Sequence, residues 1–585
     1  MKKIISLITI LLTCVFTFSR CSDDEYTDKY NDPNKVTKLL IDKLMVGVFT
    51  KSNTWAIQGY DRYYSQDNLY FSNFTQSFGR PYSNTMYHPG WSDDGSDEYT
   101  SFFGAAAQYK KLEQMYNELS DAEKPSFEAY MLAAKTHVYA YMLSVIDLYG
   151  SIPWKDAGMV VLTGDISYNG AAHFDNVEDL YKMIIDEMKT AGTRFASVSK
   201  PKDFTATQDF INGAEMKMWQ KYANSVCMRA ALRVASQGSL TAVGRAALKE
   251  MIENPAKYPV VETNDDNIDI HNLRTDPVNS TGGYGLGDAD GSSNQASDAL
   301  VSRMLSNYDR TTWSGTYQDG IDDPRVPLLW DLAVREQGLQ VGYPSYADTT
   351  KTGADTTIIQ SGYAEPTVFR GSTYEMDPDI HSRYTSGAKG ISLVRHNGLF
   401  WENENWDHQI ISAAEMWFIK AEAIHQGWAN GDAKAAFKEG VKQSIKFFFK
   451  YHKERSKEDA DKGKDGKGRR GWVINPKEPT DAWIDSFAEA RWNEPINTVH
   501  QYRDRLDAII TQKYVNFNIM YVREAWNDLR RTGYPSGLQF PHVNDPIVPD
   551  VPVRLRYPTA ERDFNKNFAD VAAQDNYTTK MFWAK

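Results

Sequence analysis

The segment WQKYANSVCMRAALR, residues 219–233, is where the sequence most clearly indicates its fold. It is amphipathic and lies in a helix predicted from about Gly213 to Ser236. Arg229 and Arg233 are one helical turn apart, so we expect both guanidinium groups to pair with carboxylates. Cys227 falls on an apolar face of the same helix, where we expect a buried, unreactive thiol. The segment therefore indicates a packed helical core.

Two further helices are predicted between residues 127 and 190. In the first, apolar residues recur at alternating steps of four and three, and Gly150 and Pro153 end the helix. The second is predicted to open at Asp175, with Phe174 as a hydrophobic staple and Glu178 as a capping-box partner. The apolar positions are Phe127, Met131, Ala134, Val138, Tyr141 and Val145 in the first helix, and Val177, Tyr181, Ile184 and Met188 in the second.

The remaining helices are predicted at 240–253, 412–427 and 433–450, with Asp432 as the N-cap of the third, and two more fill 500–530. Antiparallel helix pairs joined by short glycine turns are typical of tetratricopeptide-type repeats, although an unrelated helical bundle also fits this periodicity. The predicted fold class is therefore all-α, with minor β structure.

Two stretches lack strong periodicity. Residues 255–400 are rich in Gly, Ser, Thr, Asp and Pro, with extended patches such as 357–359, and long irregular segments of this kind are usually functional loops. Residues 450–471 mix charges of both signs with glycines, which predicts a mobile, solvated loop.

The amino terminus is typical of an exported lipoprotein. Residues 1–20 combine two lysines with an apolar stretch too short to span a bilayer, which predicts a signal peptide. We expect the mature chain to begin at a lipid-modified Cys21, although Arg20 is an unusual residue before a lipidated cysteine. Residues 21–35 are then a polar tether, and residues 36–585 form a single domain.

The composition restricts the partners. The formal net charge is −12, and an acidic surface repels phosphate backbones, so nucleic acid is not expected as a partner. Aromatic residues make up 13% of the chain. We expect many of these rings to reach the surface.

Five segments, in the same order along the chain, resemble conserved stretches of the SusD/RagB family of nutrient-binding outer-membrane lipoproteins. The helix at 219–233 is one of them. The others are Asn31-Asp32-Pro33-Asn34; Asp147-Leu148-Tyr149-Gly150 with Ile152-Pro153-Trp154; Glu415, Phe418, Ala421, Glu422 and Ala423; and 526–535 with Pro552, Arg554, Tyr557, Pro558, Glu561 and Asn565.

The resemblance implies four tetratricopeptide-like units that carry long irregular ligand-face loops. It also implies a cell-surface, lipid-anchored protein of the outer membrane that captures oligosaccharides, or peptides in some branches, for a SusC-like TonB-dependent transporter. Residues Ser22 to Glu25 resemble the acidic tag that directs such lipoproteins outward. Most matching residues are expected to be structural, with Arg530, Arg531, Arg554 and Glu561 tying the carboxy-terminal segment to the helices.

Signatures of catalysis are missing from the sequence. It contains no H-E-x-x-H zinc motif, no G-x-S-x-G nucleophile elbow and no phosphate-binding loop. Gly283, Gly285 and Gly287 lack the strand and helix of a dinucleotide site, and Asp288 and Asp290 are too few for a calcium loop. We therefore expect no enzymatic activity, cofactor or metal, although a surface glycoside hydrolase or esterase remains a minor alternative because paired carboxylates cannot be recognised by spacing alone.

Sugar binding needs exposed aromatic rings that stack on the apolar side of a pyranose, with polar groups nearby for the hydroxyls. At least half of the rings between residues 55 and 91 are expected in the core, since burial of apolar area draws aromatics inward. Three clusters are the candidates: Tyr82, Asn84, Tyr87 and Trp91; Arg310, Trp313 and Tyr317; and Trp401 with Trp406. The same fold binding peptides is the main alternative.

Overall fold

The computed structural model describes residues 33–80, 82–88, 95–270, 295–332, 368–375, 391–392, 394, 399, 406–452 and 474–585. Several sequence predictions lie outside these residues. They are the signal peptide, Cys21 and the tether up to residue 32, Trp91, the glycines and aspartates of 283–290, the patch 357–359, Trp401, and residues 453–471 of the charged loop.

Helices dominate the described part of the chain. The long ones are α1 (Pro33–Lys51), α2 (Ser96–Glu118), α3 (Lys124–Tyr149), α4 (Val177–Phe195), α5 (Met216–Ala235), α6 (Thr241–Glu253), α7 (Ala413–His425), α8 (Ala433–Tyr451), α9 (Asp481–Asn493), α10 (Arg505–Phe517) and α11 (Val522–Thr532). Shorter helices lie at Asn53–Ala56, Ser72–Thr75, Met159–Thr163, Asp298–Met304, Val326–Leu329 and Thr559–Phe564, and a π-helix covers Tyr60–Phe71.

Successive long helices pack in pairs, α1 with α2, α2 with α3, α4 with α5, α5 with α6, and α7 with α8. Glycines permit the closest approaches: a Cβ on Gly192 of α4 would lie 2.0 Å from Asn224 Oδ1 of α5, and one on Gly440 of α8 would lie 2.8 Å from the Phe418 ring of α7. The all-α, tetratricopeptide-like fold predicted from the sequence is confirmed.

Most helix ends agree with the sequence prediction. Gly150 ends α3 with a φ of +84°, and the Asp432 side chain accepts a hydrogen bond from the Ala435 amide at the start of α8. The predicted start of α4 at Asp175 is wrong, because Asn176 is the N-cap and accepts from the Glu178 amide at 2.8 Å. Asp175 instead accepts from the Lys155 amide at 2.8 Å, which fixes the turn after α3.

Buried arginines join distant helices. Arg233 of α5 donates to Asp147 of α3 at 3.0 and 3.1 Å and to Glu524 of α11 at 2.7 Å. These contacts confirm the expected pairing of Arg233 with carboxylates. Cys227 of the same helix is also buried as predicted, and burial raises the pKa of its thiol to about 12.

The carboxy-terminal segment is tied to the helices through the predicted residues. Arg530 donates to the Val553 carbonyl and to the Asp147 carbonyl, each at 2.8 Å. Arg531 contacts the Glu422 carboxylate, and Arg554 donates to the carbonyl of Tyr149. Glu561 accepts from Asn565 within its own segment, and it also faces Tyr99 of α2, whose pKa is raised by burial and then by the charge of Glu561.

Short strands connect the loops between the helices. They pair antiparallel, in three two-stranded sheets, within the described residues. The strands are β1 (Phe78–Gly79), β2 (Ile268–Ile270), β3 (Gln295–Ala296), β4 (Ser314–Gly315), β5 (Phe369–Arg370) and β6 (His408–Ile411), with β1 beside β3, β2 beside β6 and β4 beside β5. Among the helices that the structure describes, none has the length and apolarity needed to cross a membrane.

Candidate ligand-binding face

Short extended segments hold the first two candidate clusters on one backbone framework. Strand β1 pairs with β3, and the Ser372 amide next to β5 donates to the Ala296 carbonyl of β3 at 2.8 Å. The Ser392 backbone bridges β3 and β5. Its carbonyl accepts from the Ala296 amide of β3 at 2.7 Å, and its amide donates to the Arg370 carbonyl of β5 at 3.0 Å. Because β5 also pairs with β4, the chain after β1 and the hairpin before β4 belong to one continuous framework.

The loop 82–88 follows β1 and presents Tyr82 and Asn84. Tyr82 is 39% exposed, and its hydroxyl donates to Asn84 Oδ1 at 3.0 Å. The loop is anchored to the short helix Ser72–Thr75, because Asn73 Nδ2 donates to the Met86 carbonyl at 2.8 Å. An exposed phenol next to an exposed amide offers both a ring face and hydrogen-bonding groups to a ligand.

Trp313 lies at the tip of a tight hairpin. Asp309 and Ser314 exchange backbone hydrogen bonds of 2.9 and 3.2 Å, which leaves four residues in the loop. Trp313 takes a φ of +50°, a left-handed conformation that is costly for a bulky side chain, and its carbonyl accepts from the Gly371 amide at 3.0 Å. Strained residues of this kind concentrate at binding sites, and the half-buried indole marks this hairpin as part of the candidate site.

The two remaining residues of the second cluster are held by aspartates. Arg310 is partly exposed and lies 3.4 Å from Asp298 Oδ2, whose other oxygen accepts from the Tyr308 hydroxyl at 2.6 Å. The Tyr317 hydroxyl lies 3.4 Å from Asp319 Oδ1, and burial raises the pKa of this phenol. Both side chains therefore lie beside a carboxylate, and the Tyr317 ring also packs edge-on against Phe369, with centroids 6.5 Å apart.

Two of the rings proposed from the sequence are buried. Tyr87 is fully buried, and its hydroxyl donates to the Pro541 carbonyl at 3.1 Å. Trp406 packs edge-on against Phe447 and Tyr451, with ring centroids 5.5 and 5.3 Å away. The prediction of exposed faces is therefore wrong for Tyr87 and Trp406, because burial of aromatic area in the core prevails at both positions.

The carboxy-terminal segment 536–550 contributes to this face, which the sequence did not predict. Gln76 contacts the Gln539 carbonyl, and the Ser536 carbonyl accepts from Arg303 of the short helix after β3. Pro541 receives the Tyr87 hydroxyl from the 82–88 loop. The partners in these two contacts are more than 200 residues apart in sequence, and the acceptors are backbone carbonyl groups, which every residue has. The residue types therefore could not predict the contacts.

The side chains of the face that stay accessible are suited to ligand recognition. Among the described residues, no three His, Cys, Asp or Glu side chains are grouped in a way that could hold a metal ion. The candidate residues that stay accessible are the Tyr82 and Asn84 pair and the Arg310, Trp313 and Tyr317 hairpin. Aromatic rings with amide, guanidinium and carboxylate neighbours suit a polyhydroxylated ligand with apolar C–H surfaces.

The architecture is a scaffold of helix pairs that carries a face built from loops. The chain belongs to the SusD-like family: the family model described as "Starch-binding associating with outer membrane" matches residues 31–558. A comparison with curated protein sequences found no match.

Solved structures agree on the fold. A chitin-binding protein shares 19% identity with a TM-score of 0.63, covering 92% of this chain and 99% of its own. A SusD homolog from Bacteroides fragilis shares 16% with a TM-score of 0.60, covering 94% and 99%, and one from Parabacteroides distasonis shares 15% with a TM-score of 0.61, covering 94% and 98%. At these identities the likeness concerns the fold.

Proposed function

We propose that this protein is a non-enzymatic, glycan-binding lipoprotein of the cell surface, which captures oligosaccharides and delivers them to a SusC-like TonB-dependent transporter in the outer membrane. The observation that carries the proposal is the family match across residues 31–558, whose description names starch binding and the outer membrane. The chitin-binding neighbour supports the same ligand class.

The candidate face supports a glycan in preference to a peptide. Trp313 and Tyr82 supply ring faces, and Asn84 supplies an amide that both donates and accepts hydrogen bonds. A peptide in an extended conformation can add to a free strand edge, but Ser392 occupies the outer edge of β5 and Asp309 that of β4 through backbone hydrogen bonds. The face therefore offers stacking surfaces rather than a template for main-chain hydrogen bonds.

Titration calorimetry with the mature protein tests the ligand class. Maltohexaose, N-acetylchitohexaose and a mixture of tryptic peptides serve as probes, in a detergent without a sugar headgroup. We expect saturable binding to at least one of the two saccharides, reduced in the variants Trp313→Ala and Tyr82→Ala. The matched control is Trp428→Ala, because Trp428 is also half-buried but packs against Arg245. Binding to the peptides alone would overturn the proposal.

The anchor and the transporter are tested separately. Mass spectrometry of the native amino terminus is expected to show a diacylglyceryl modification on Cys21, and an unmodified cysteine would contradict the lipoprotein assignment. Affinity purification from gently solubilised membranes is expected to retain a TonB-dependent transporter. Loss of uptake of the bound saccharide on deletion of the protein would support delivery, and unchanged uptake would contradict it.

A further inference from the structure

A second cavity lies on the helical scaffold, apart from the candidate ligand-binding face. Its volume is about 720 Å³, within the range of roughly 300–1,000 Å³ typical of small-molecule sites. It opens to solvent and is bordered by α1, the start of α3 and the turn 199–203, none of which belongs to that face. Its lining residues are Asp42, Pro125, Ser126, Phe127, Tyr130, Ser199, Lys200, Pro201, Lys202 and Asp203.

The apolar part of the cavity is formed by rings that pack into the core and by two prolines. Phe127 and Tyr130 project from α3 and are largely buried, and the Tyr130 ring packs against Phe204 with centroids 4.8 Å apart. Pro125 and Pro201 extend this surface, and proline rings lose no side-chain freedom when a ligand covers them. A ligand with an apolar C–H surface can therefore be held at a low entropic cost.

The polar part contains unused hydrogen-bonding capacity. Asp42 Oδ2 accepts from Gln208 Nε2 at 2.9 Å, whereas Asp42 Oδ1 has no hydrogen-bond partner in the described part of the chain. Oδ1 is shielded from solvent, whereas the Asp203 carboxylate on the rim of the cavity is exposed and can accept a hydrogen bond from a ligand hydroxyl. The pKa of Tyr130 is raised to about 12, by burial and then by the charges of Asp42 and Asp203, so its hydroxyl stays protonated at neutral pH.

The charges around the cavity indicate a neutral ligand. Two lysines and two aspartates line it, so the formal charges cancel, and Lys200 also lies 3.6 Å from Glu215. Hydroxyls of a ligand can donate to the carboxylates and accept from the ammonium groups and from Ser126 and Ser199. An apolar floor with alternating donors and acceptors matches the two sides of a pyranose ring.

We propose that this cavity is a second binding site for a short neutral saccharide. The inference rests on the proposed function only for the ligand class, since the two sites share no residue. Two sites on one protein would raise the avidity for a long chain that reaches both, without any new contact.

The test disables each site in turn in the mature protein. The double variant Tyr82→Ala, Trp313→Ala weakens the candidate face, and Ser126→Trp fills the cavity from an exposed position on α3. Ala122→Trp is the matched control, because Ala122 is exposed on the turn before α3 and does not line the cavity. Maltohexaose and N-acetylchitohexaose are titrated by calorimetry in each background, and circular dichroism checks that each variant is folded.

We expect the face double variant to retain weak saccharide binding, which Ser126→Trp reduces at least 10-fold and Ala122→Trp leaves unchanged. Asp203→Asn in the same background is expected to weaken binding as well, without filling the cavity. If the double variant abolishes all binding while Ser126→Trp alone binds as wild type does, the proposed function stands and this inference is overturned. Absence of saccharide binding to the wild-type protein would overturn both.

Discussion

Arg229 Nε donates to Glu415 Oε1 at 2.7 Å while its Nη2 donates to Glu415 Oε2 at 2.5 Å, so a bidentate ion pair joins α5 to α7 inside the core. The same Nη2 also donates to the Ile410 carbonyl of β6 at 2.8 Å. Both side chains are almost completely buried. Because a carboxylate left unpaired in such a place is costly, each residue requires the other.

Arg229→Met therefore tests the pair by removing one charge and keeping the apolar stem. Glu415 would remain buried without its partner, and we expect a loss of about 3–5 kcal/mol in the free energy of unfolding. Urea denaturation monitored by circular dichroism measures it. The control is Lys182→Met, which breaks the exposed Lys182 to Asp186 pair at 2.6 Å and should cost no more than about 1 kcal/mol.

Replacing both partners separates charge from packing in the same experiment. In the variant Arg229→Met, Glu415→Leu the Glu415 charge is also gone, and Glu524, 3.8 Å from Arg229, keeps its pair with Arg233, so much of the lost stability should return. If Arg229→Met proves no more destabilised than Lys182→Met, the pair does not hold the core together.

A pair of helix glycines tests the close approach of α4 to α5. The methyl group of Gly192→Ala would collide with Asn224, which is buried and held by a 2.8 Å hydrogen bond from its Nδ2 to the Pro259 carbonyl. We expect a loss of about 1–3 kcal/mol in the free energy of unfolding. Gly104→Ala in α2 meets only the end of Lys51 at 3.7 Å, so it should gain about 0.5–1 kcal/mol from helix propensity. The same sign in both variants would contradict this packing.

Local pattern predicted much of the fold, whereas long-range pairing could not be predicted. The apolar stripe of α3 and the N-cap Asp432 depend on neighbours within a few residues, and both are confirmed. The sequence also indicated that Arg229 binds a carboxylate. It could not indicate Glu415, which is 186 residues away, because many acids were available as partners.

The candidate face shows the same limit at smaller scale. Tyr82 and Tyr87 are five residues apart in one irregular loop, yet one ring is exposed and the other is buried. The difference arises because Tyr87 packs into the core, where its hydroxyl also reaches the Pro541 carbonyl of a distant segment. Aromatic content predicted that rings would cluster here, but their exposure depends on tertiary contacts that residue types do not encode.

Asp269 makes the stability depend on pH. Its Oδ1 is buried with no hydrogen-bond partner within the described residues, and burial raises its pKa to about 8, with Asp407 adding to the effect and Lys450 opposing it. The phenols of Tyr451 and Tyr521 also lie in its electrostatic environment. Between pH 4 and 8 the Asp269 carboxyl is ionised in the unfolded chain but still protonated in the folded one. The free energy of unfolding therefore falls as the pH rises, by up to about 1.4 kcal/mol per pH unit.

Asp269→Asn removes that titration. We expect the variant to match the wild type near pH 4 and to exceed it in stability at pH 8, with urea unfolding at several pH values as the measurement. Asp265→Asn is the control, since Asp265 is exposed four residues earlier and should leave the pH profile unchanged. A wild-type profile that stays flat relative to Asp269→Asn would show that the carboxyl is already ionised in the fold.

Substitutions of Trp313 should affect the stability of the fold and the affinity for saccharide in different ways. Its φ of +50° is strained for any residue with a Cβ, so Trp313→Gly should be more stable than Trp313→Ala by about 1 kcal/mol. Both variants lose the indole, and we expect both to bind the saccharide about 10-fold more weakly than the wild type, which corresponds to about 1.4 kcal/mol. Thermal unfolding and calorimetric titration measure the two effects, with Trp313→Phe as the variant that keeps a ring and most of the affinity. If Trp313→Gly binds the saccharide as tightly as the wild type, the Trp313 ring does not contact the ligand. If the Gly and Ala variants are equally stable, the backbone relaxes once the indole is removed.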